Sequence, residues 1–212
     1  MKRRLSLSGI IAIILFVFSF SAYALQFDLV YEFDGDLPVQ SYGTVDVTEN
    51  SGDLDFAIVA NTTTLGTGAD IHELYFNLIT DTFTGLSISN SSAPNPFTLL
   101  GPNPSVSGGA GASFDWGVNF GNGGGSPGNG VLQSASFTLS AFQDLLIENL
   151  LELSDPNNTP PVTLAVHFQG TDTRSGSETV GGNPVPEPST MLLLGAGLIG
   201  LAGWGRKKIF KK

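Results

Sequence analysis

Short stretches of alternating apolar and polar residues run along the chain from residue 26 to residue 169, and they constrain its fold more than any other feature. In residues 26–33, for example, Phe27, Leu29, Tyr31 and Phe33 share one face. A period of two places successive side chains on opposite sides of an extended chain, so it predicts a strand with one buried face. The pattern recurs clearly at residues 42–48, 54–60, 71–79, 131–139 and 162–169, and more weakly at 82–88 and 114–120.

Turn-forming residues separate these predicted strands. The segment 50–53, Asn-Ser-Gly-Asp, favours an antiparallel hairpin between residues 42–48 and 54–60. Residues 91–112 and 121–130 are rich in Gly, Pro, Ser and Asn and too poor in periodic apolar residues for a long helix or strand. Many short strands with such joints predict a mainly antiparallel β-sandwich, with a jelly-roll-like arrangement as the alternative.

The spacing of apolar residues changes after residue 139. Between residues 140 and 153 they recur at steps of three and four, which predicts one short amphipathic helix. Ser140, with Gln143 three residues later, fits a capping box at the start of that helix. The apolar face would consist of Phe142, Leu145, Leu146, Leu150 and Leu153.

Residues 170–185 contain almost no apolar side chain, and their Thr, Ser, Gly and Pro content predicts a flexible stalk. With the two chain ends described below, four parts are expected. These are a signal peptide at 1–24, the β-sandwich ectodomain at 25–169, the stalk at 170–185 and a C-terminal tail at 186–212.

The N-terminus has the three-part plan of a secretory signal. Three basic residues precede an apolar core at residues 10–20, and Ala22 and Ala24 are the small residues that signal peptidase requires. We therefore expect export, with cleavage after Ala24.

The C-terminal tail combines three ordered features. Pro186, Glu187 and Pro188 precede an uncharged apolar run at residues 189–205, and a basic cluster follows. This uncharged run of seventeen residues is at the short end of what spans a bilayer as a helix. Basic residues behind such a helix remain on the cytoplasmic side, which places the preceding part of the chain outside. The cluster consists of Arg206, Lys207 and Lys208.

This tail resembles the PEP-CTERM sorting signal of Gram-negative bacteria. The resemblance implies that an exosortase-type membrane protease recognises Pro186, Glu187 and Pro188 and releases the protein to the cell surface or extracellular matrix after a transient stay in the inner membrane. Residues 70–78, 114–120 and 166–170 also resemble stretches of other exported PEP-CTERM ectodomains that are uncharacterised, which implies a shared fold and no particular activity.

Charge narrows the partners that the ectodomain can bind. Residues 25–185 hold one basic residue, Arg174, against eighteen acidic ones, a net charge of −17. Nucleic acids and anionic lipids need basic surface and are therefore not expected as partners. The chain has no cysteine, so the fold must be held by burial.

Two groups of residues are candidates for ligand binding. Trp116 could stack on a sugar ring while the carboxylate of Asp115 accepts hydrogen bonds from its hydroxyls. Acid pairs at turns, Asp34 with Asp36 and Asp53 with Asp55, offer oxygen ligands for Ca²⁺ without EF-hand spacing. The competing interpretations are a buried core tryptophan and acids that form turns and confer solubility. No other cofactor is expected.

Three classes of function remain. The first is a non-enzymatic surface or matrix protein, which the tail resemblance associates with exopolysaccharide and biofilm. The second is a carbohydrate- or calcium-binding β-sandwich module. The third is a glycoside hydrolase using Glu148 and Glu152, one turn apart on the predicted helix, where paired acids are normally only solvated. Among the histidines, His72 beside Asp70 and Glu73 is more typical of hydrogen bonding than of metal binding, and His167 is expected on an exposed face.

Overall fold

The structure is a computed structural model that describes residues 24–33, 35, 37–79, 83–92, 97–108, 112–121, 131–154, 161–185 and 195–197. Its regular elements are mostly strands. They are β1 Ala24–Glu32, β2 Gly43–Asn50, β3 Asp53–Ala60, β4 Asp70–Phe76, β5 Ser87–Ser89, β6 Thr98–Leu100, β7 Trp116–Asn119, β8 Ser134–Ser140, β9 Leu164–Gln169 and β10 Ser177–Val185. The other elements among the described residues from 24 to 185 are a four-residue helix, α1 Thr62–Leu65, and a 3₁₀ turn, Ile147–Leu150.

The ten strands form one sheet in which every pair of neighbours is antiparallel. Their order is β5-β8-β3-β2-β1-β10-β9-β4-β7-β6. The two edge strands, β5 and β6, approach each other, so the sheet curls into a nearly closed shape around its core. The predicted mainly β, antiparallel class is confirmed, and so is the hairpin of β2 and β3. The two separate sheets of a sandwich are replaced by one continuous sheet.

Strand β10 joins the two halves of this sheet, and the prediction of a flexible stalk at residues 170–185 is therefore wrong. β10 pairs with β1 on one side and with β9 on the other. Gly181 and Gly182, which suggested flexibility, lie where neighbours come close. A Cβ on Gly181 would be 2.8 Å from the Val162 side chain, and one on Gly182 would be 2.8 Å from the Asp28 carbonyl. Here glycine permits close packing inside a strand.

Aromatic rings fill the centre of the core. The rings of Phe56 and Phe137, from neighbouring strands, stack with centroids 4.8 Å apart. Phe97 meets Phe120 edge to face at 4.7 Å. Such pairs contribute about 0.5–1.5 kcal/mol beyond the area that they bury. In a chain without cysteine, this packing and the ladder hydrogen bonds hold the sheet together.

Two β-bulges send side chains to the outer face of the sheet. In β1 the register shifts between Leu29 and Tyr31, so Leu29 faces the core while Tyr31 packs outside. In β4 it shifts between Ile71 and Glu73. The outer side chains form a second apolar cluster with residues 112–114, and Val106 packs against it. Its buried members are Phe33, Tyr75, Ala112, Phe114, Val162 and Ala165.

The predicted helix at residues 140–153 is also wrong. Ser140 ends β8, so it does not cap a helix, and residues 141–154 cross one end of the sheet with a single 3₁₀ turn. The amides that would bond within a helix have other acceptors, because Leu145 N–H donates to the Gly52 carbonyl at 2.8 Å and Ile147 N–H donates to the Glu49 carboxylate at 2.7 Å.

The predicted signal peptide and membrane helix lie outside the described residues, apart from Ala24 and from residues 195–197, which are helical. Within the part of the chain that the structure describes, no helix is long and apolar enough to cross a membrane.

Candidate functional site

The two predicted processing sites lie close to the same end of the sheet. Ala24, the expected signal-cleavage residue, is the exposed first residue of β1. Val185, the residue before the Pro-Glu-Pro motif, ends β10 and pairs with Gln26 two residues along β1. The folded domain therefore extends up to the sorting motif, with no stalk between them. The remaining predicted processing residues, Ala22, Pro186, Glu187, Pro188, Arg206, Lys207 and Lys208, lie outside the described residues.

A buried carboxylate, Glu73, is the centre of a polar cluster on the outer face. The Tyr75 hydroxyl donates to its Oε2, and Asn119 Nδ2 donates to Oε1 at 3.0 Å. His72 Nδ1 lies 3.8 Å from Oε2, beyond hydrogen-bond distance, and has no hydrogen-bond partner among the described residues. Burial alone would raise the pKa of Glu73, but the interactions with His72, Tyr75 and Asn119 outweigh it and lower the pKa to about 2.

Tyr75 links this carboxylate to the covering segment. Its hydroxyl accepts from the Ser107 N–H at 3.1 Å while it donates to Glu73. Burial, reinforced by the hydrogen bond to Glu73, raises the pKa of Tyr75 to about 12. At neutral pH the cluster therefore pairs a charged carboxylate with a neutral phenol.

His167 on β9 is buried in the same cluster, so the prediction that it lies on an exposed face is wrong. The segment containing Ser107 covers it, and it is 3% exposed. The Thr179 hydroxyl donates to the Ser107 carbonyl and thus accepts from His167 Nδ1–H at 2.8 Å. This assigns the proton of the neutral ring to Nδ1 and leaves Nε2, 3.3 Å from Ser177 Oγ, as an acceptor. Burial is the main reason that the pKa of His167 is lowered to about 4.

The polar atoms of this cluster form hydrogen bonds with one another and with the covering segment. The hydroxyls of Tyr75 and Thr179 attach the segment 105–108 to the sheet. Glu73 and His167 are in turn hydrogen-bonded to these two hydroxyls. Within the described residues, no group of three or more His, Cys, Asp or Glu side chains could hold a metal ion. The Asp70 carboxylate, which is close to His72 and Glu73 in sequence, accepts a hydrogen bond from the Leu132 N–H at 2.7 Å.

Trp116 and Asp115, the predicted sugar-binding pair, both contact other parts of the folded domain. Trp116 is half-buried against the main core, and a Cβ on Gly101 would be 2.4 Å from its Cε3, so backbone lies close against the ring. Asp115 Oδ2 accepts from the Leu78 N–H at 3.3 Å. Sugar binding by this pair stays a prediction.

The acid pairs proposed for Ca²⁺ are described only in part. Asp34 and Asp36 lie outside the described residues. Asp55 accepts from the Thr138 hydroxyl at 2.6 Å with one oxygen and from Asn50 Nδ2 at 3.0 Å with the other. Asp53 is in the first position of β3, opposite Asn50. The carboxylate of Asp55 therefore stabilises the edge of the hairpin, and Ca²⁺ binding stays a prediction.

Glu148 and Glu152 do not face each other across a helical turn as predicted. Glu148 lies in the 3₁₀ turn and Glu152 beyond it, and both are exposed. A glycosidase needs two carboxylates held at a defined separation in a cleft. The helical spacing that would have paired Glu148 with Glu152 is absent here.

Two residues of this cluster were not predicted, namely Thr179, which bonds to the histidine, and Ser107, which bonds to Thr179. Thr179 was assigned to the stalk and Ser107 to a loop without regular structure. The adjacent β-branched residues Thr179 and Val180 were the available signal for a strand, since such residues are enriched in strands.

Comparison with known proteins gives a match in the C-terminal part of the chain. Residues 184–207 match the PEP-CTERM protein-sorting motif. No curated protein and no solved structure matches the chain. The match begins at Pro184, inside β10, and includes the Pro-Glu-Pro motif, the apolar run and the first basic residues. The chain thus carries at its C-terminus a PEP-CTERM sorting motif, which implies an exported protein with transient membrane tethering and processing by an exosortase-type membrane enzyme.

Proposed function

We propose that the chain is a non-enzymatic protein of the cell surface or extracellular matrix, delivered there by its C-terminal sorting motif. The observation that carries the proposal is the match at residues 184–207, where motif, apolar run and basic residues follow one another in order. A folded β domain ending immediately before the motif suits release, because cleavage there leaves the ten strands intact.

The polar clusters of the described domain support a structural role. The ionised Glu73 and the neutral His167 are hydrogen-bonded within the sheet and to the segment that covers it. Burial raises the pKa of Glu73 less than its internal partners lower it, and burial lowers the pKa of His167. A strongly acidic surface with one basic residue fits a neutral extracellular polymer, such as an uncharged exopolysaccharide, better than an anionic one.

Intact-mass analysis of the protein recovered from the cell surface tests the proposal. We expect the mass of a chain that begins near Leu25 and ends near the motif Pro186, Glu187 and Pro188. The Glu187→Gln variant should retain the tail and accumulate in the membrane. The matched control is Glu152→Gln, which removes one exposed carboxylate away from the motif and should be processed normally.

A native mass that still includes residues 191–212 would contradict processing at the motif. Normal processing of the Glu187→Gln variant would show that the motif is not read directly. Catalytic turnover of polysaccharides or esters by the released protein would contradict the non-enzymatic role.

A further inference from the structure

Both ends of the described domain leave the sheet at the same place. β1 begins at Ala24, and the antiparallel β10 ends at Val185. This end is here called the exit end. Because all neighbouring strands alternate in direction, it also holds the β2–β3 hairpin, the residues after β4 and the segment 141–154 after β8. The opposite end, here called the far end, holds the segments that contain Val39 and Val131.

Backbone hydrogen bonds hold segment 141–154 across the exit end. Its Leu145 N–H donates to the Gly52 carbonyl of the hairpin at 2.8 Å. The Ile79 N–H donates to the carbonyl of Asn149 at 2.9 Å, and Phe142 N–H donates to the Thr84 carbonyl at 3.0 Å. The backbone of this segment is therefore attached at several points, and its exposed side chains are presented on an ordered surface.

Large apolar side chains are concentrated at this end. Of the nine that are exposed in the described part of the chain, six belong to the exit end, including Phe142 at 87% exposure. Water-exposed apolar groups collected at one place are characteristic of a contact surface. The six are Ile79, Phe142, Leu146, Leu151, Leu153 and Val185.

The length of chain beyond Val185 determines what this surface meets. The apolar run begins at Ser189, so four Cα steps separate it from the last residue of β10. Fully extended, they reach about 14 Å at roughly 3.3–3.6 Å per residue. The polar layer on each side of a bilayer is about 5–8 Å thick. While the tail is in the membrane, the exit end is therefore held at the lipid surface, whatever the path of those residues.

We propose that the exit end is a lipid-contacting surface, which inserts the side chains of Phe142 and its exposed apolar neighbours into the interface of a neutral bilayer during the tethered stage. The inference rests on the tethering implied by the sorting motif. Charge selects the lipid, because Asp144, Glu148 and Glu152 are exposed among these apolar residues. Anionic headgroups would be repelled, while zwitterionic ones are tolerated.

Single-cysteine labelling of the full chain tests this surface, since the chain has no native cysteine. Variants Phe142→Cys, Leu153→Cys and Val39→Cys, each labelled with nitrobenzoxadiazole, are reconstituted in phosphatidylcholine vesicles containing brominated acyl chains. Gly197→Cys reports insertion of the tail. We expect strong quenching at 197, clear quenching at 142 and 153, and several-fold weaker quenching at 39. Val39 and Phe142 are 80% and 87% exposed, so replacing either side chain should leave the fold intact.

Quenching at 197 with signals at 142 and 153 no stronger than at 39 would overturn the lipid-contacting surface and leave the sorting function standing. Absence of quenching at 197 would overturn the tether and this inference together. As a second measurement, a label at Leu146→Cys should lose quenching when Phe142→Ser and Leu153→Ser are added, but keep it with Val39→Ser and Val131→Ser. Replacing part of the lipid with phosphatidylglycerol should weaken quenching at 142, and an increase would contradict the charge argument.

Discussion

The burial of His167 predicts an acid-sensitive domain. Its pKa is about 4 in the fold against 6.5 for a free histidine, so the unfolded chain binds a proton at pH values where the folded one does not. Stability is therefore fully present above pH 6.5 and is lost as the pH falls toward 4. The difference corresponds to about 2 kcal/mol at pH 5 and about 3 kcal/mol at pH 4, relative to pH 8.

The assay is chemical unfolding of residues 25–185 between pH 8 and pH 4, comparing the native chain with His167→Asn. The asparagine amide can still donate to Thr179 Oγ1 but cannot titrate. The variant should be less stable at pH 8 and should lack the loss of about 2 kcal/mol at pH 5. For a domain of this size, that loss lowers the melting temperature by roughly 4–8 °C. Parallel pH curves for the two proteins would refute the reasoning, because His167 would then titrate alike in the folded and unfolded chains.

Two further predictions concern packing. Phe137→Ala removes one ring of the central stack with Phe56 and should lower the free energy of unfolding by about 3–5 kcal/mol. Phe142→Ala, at an exposed position, should change it by less than about 0.5 kcal/mol. Equal effects of the two substitutions would contradict the assignment of Phe137 to the core. Gly181→Ala places a Cβ 2.8 Å from Val162 and should destabilise by about 1–3 kcal/mol in the same assay, while a neutral result would contradict the close packing of β10.

The strands that alternate clearly in sequence were predictable, because a period of two is a local signal of a half-buried extended chain. Residues 42–48 and 54–60 correspond to β2 and β3, and their hairpin follows from the turn between them. Bulges were not predictable in this way. The shift between Leu29 and Tyr31 sends Tyr31 and Phe33 to the outer face although they continue the same alternation.

The predicted helix at residues 140–153 and the predicted stalk at residues 170–185 were wrong because tertiary contacts override local pattern. Leu145, Leu146 and Leu150 have helical spacing, but the hairpin takes the amide of Leu145. In β10 the glycines lie in a strand because Val162 and the Asp28 carbonyl leave no room for a side chain, a constraint that the sequence does not display. Without β10, the prediction also lacked the strand that links the two halves of the sheet.

The candidate sites show the same limit. His167 alternates with core residues and was expected to be solvated, yet the segment around Ser107 covers it from more than fifty positions away in sequence. The sorting motif was predictable because its three features are consecutive and local. A cluster assembled from β4, β9, β10 and a loop has no comparable local signature.

Hydrogen exchange over residues 177–185 tests the central claim, that the folded domain extends to the sorting motif. If β10 joins the two halves of the sheet, the Val180 amide and its ladder neighbours should exchange as slowly as those of β9, Leu164–Gln169, because both open only with the whole sheet. Exchange of residues 177–185 at the rate of an unstructured peptide, with β9 still protected, would contradict the account and restore the stalk.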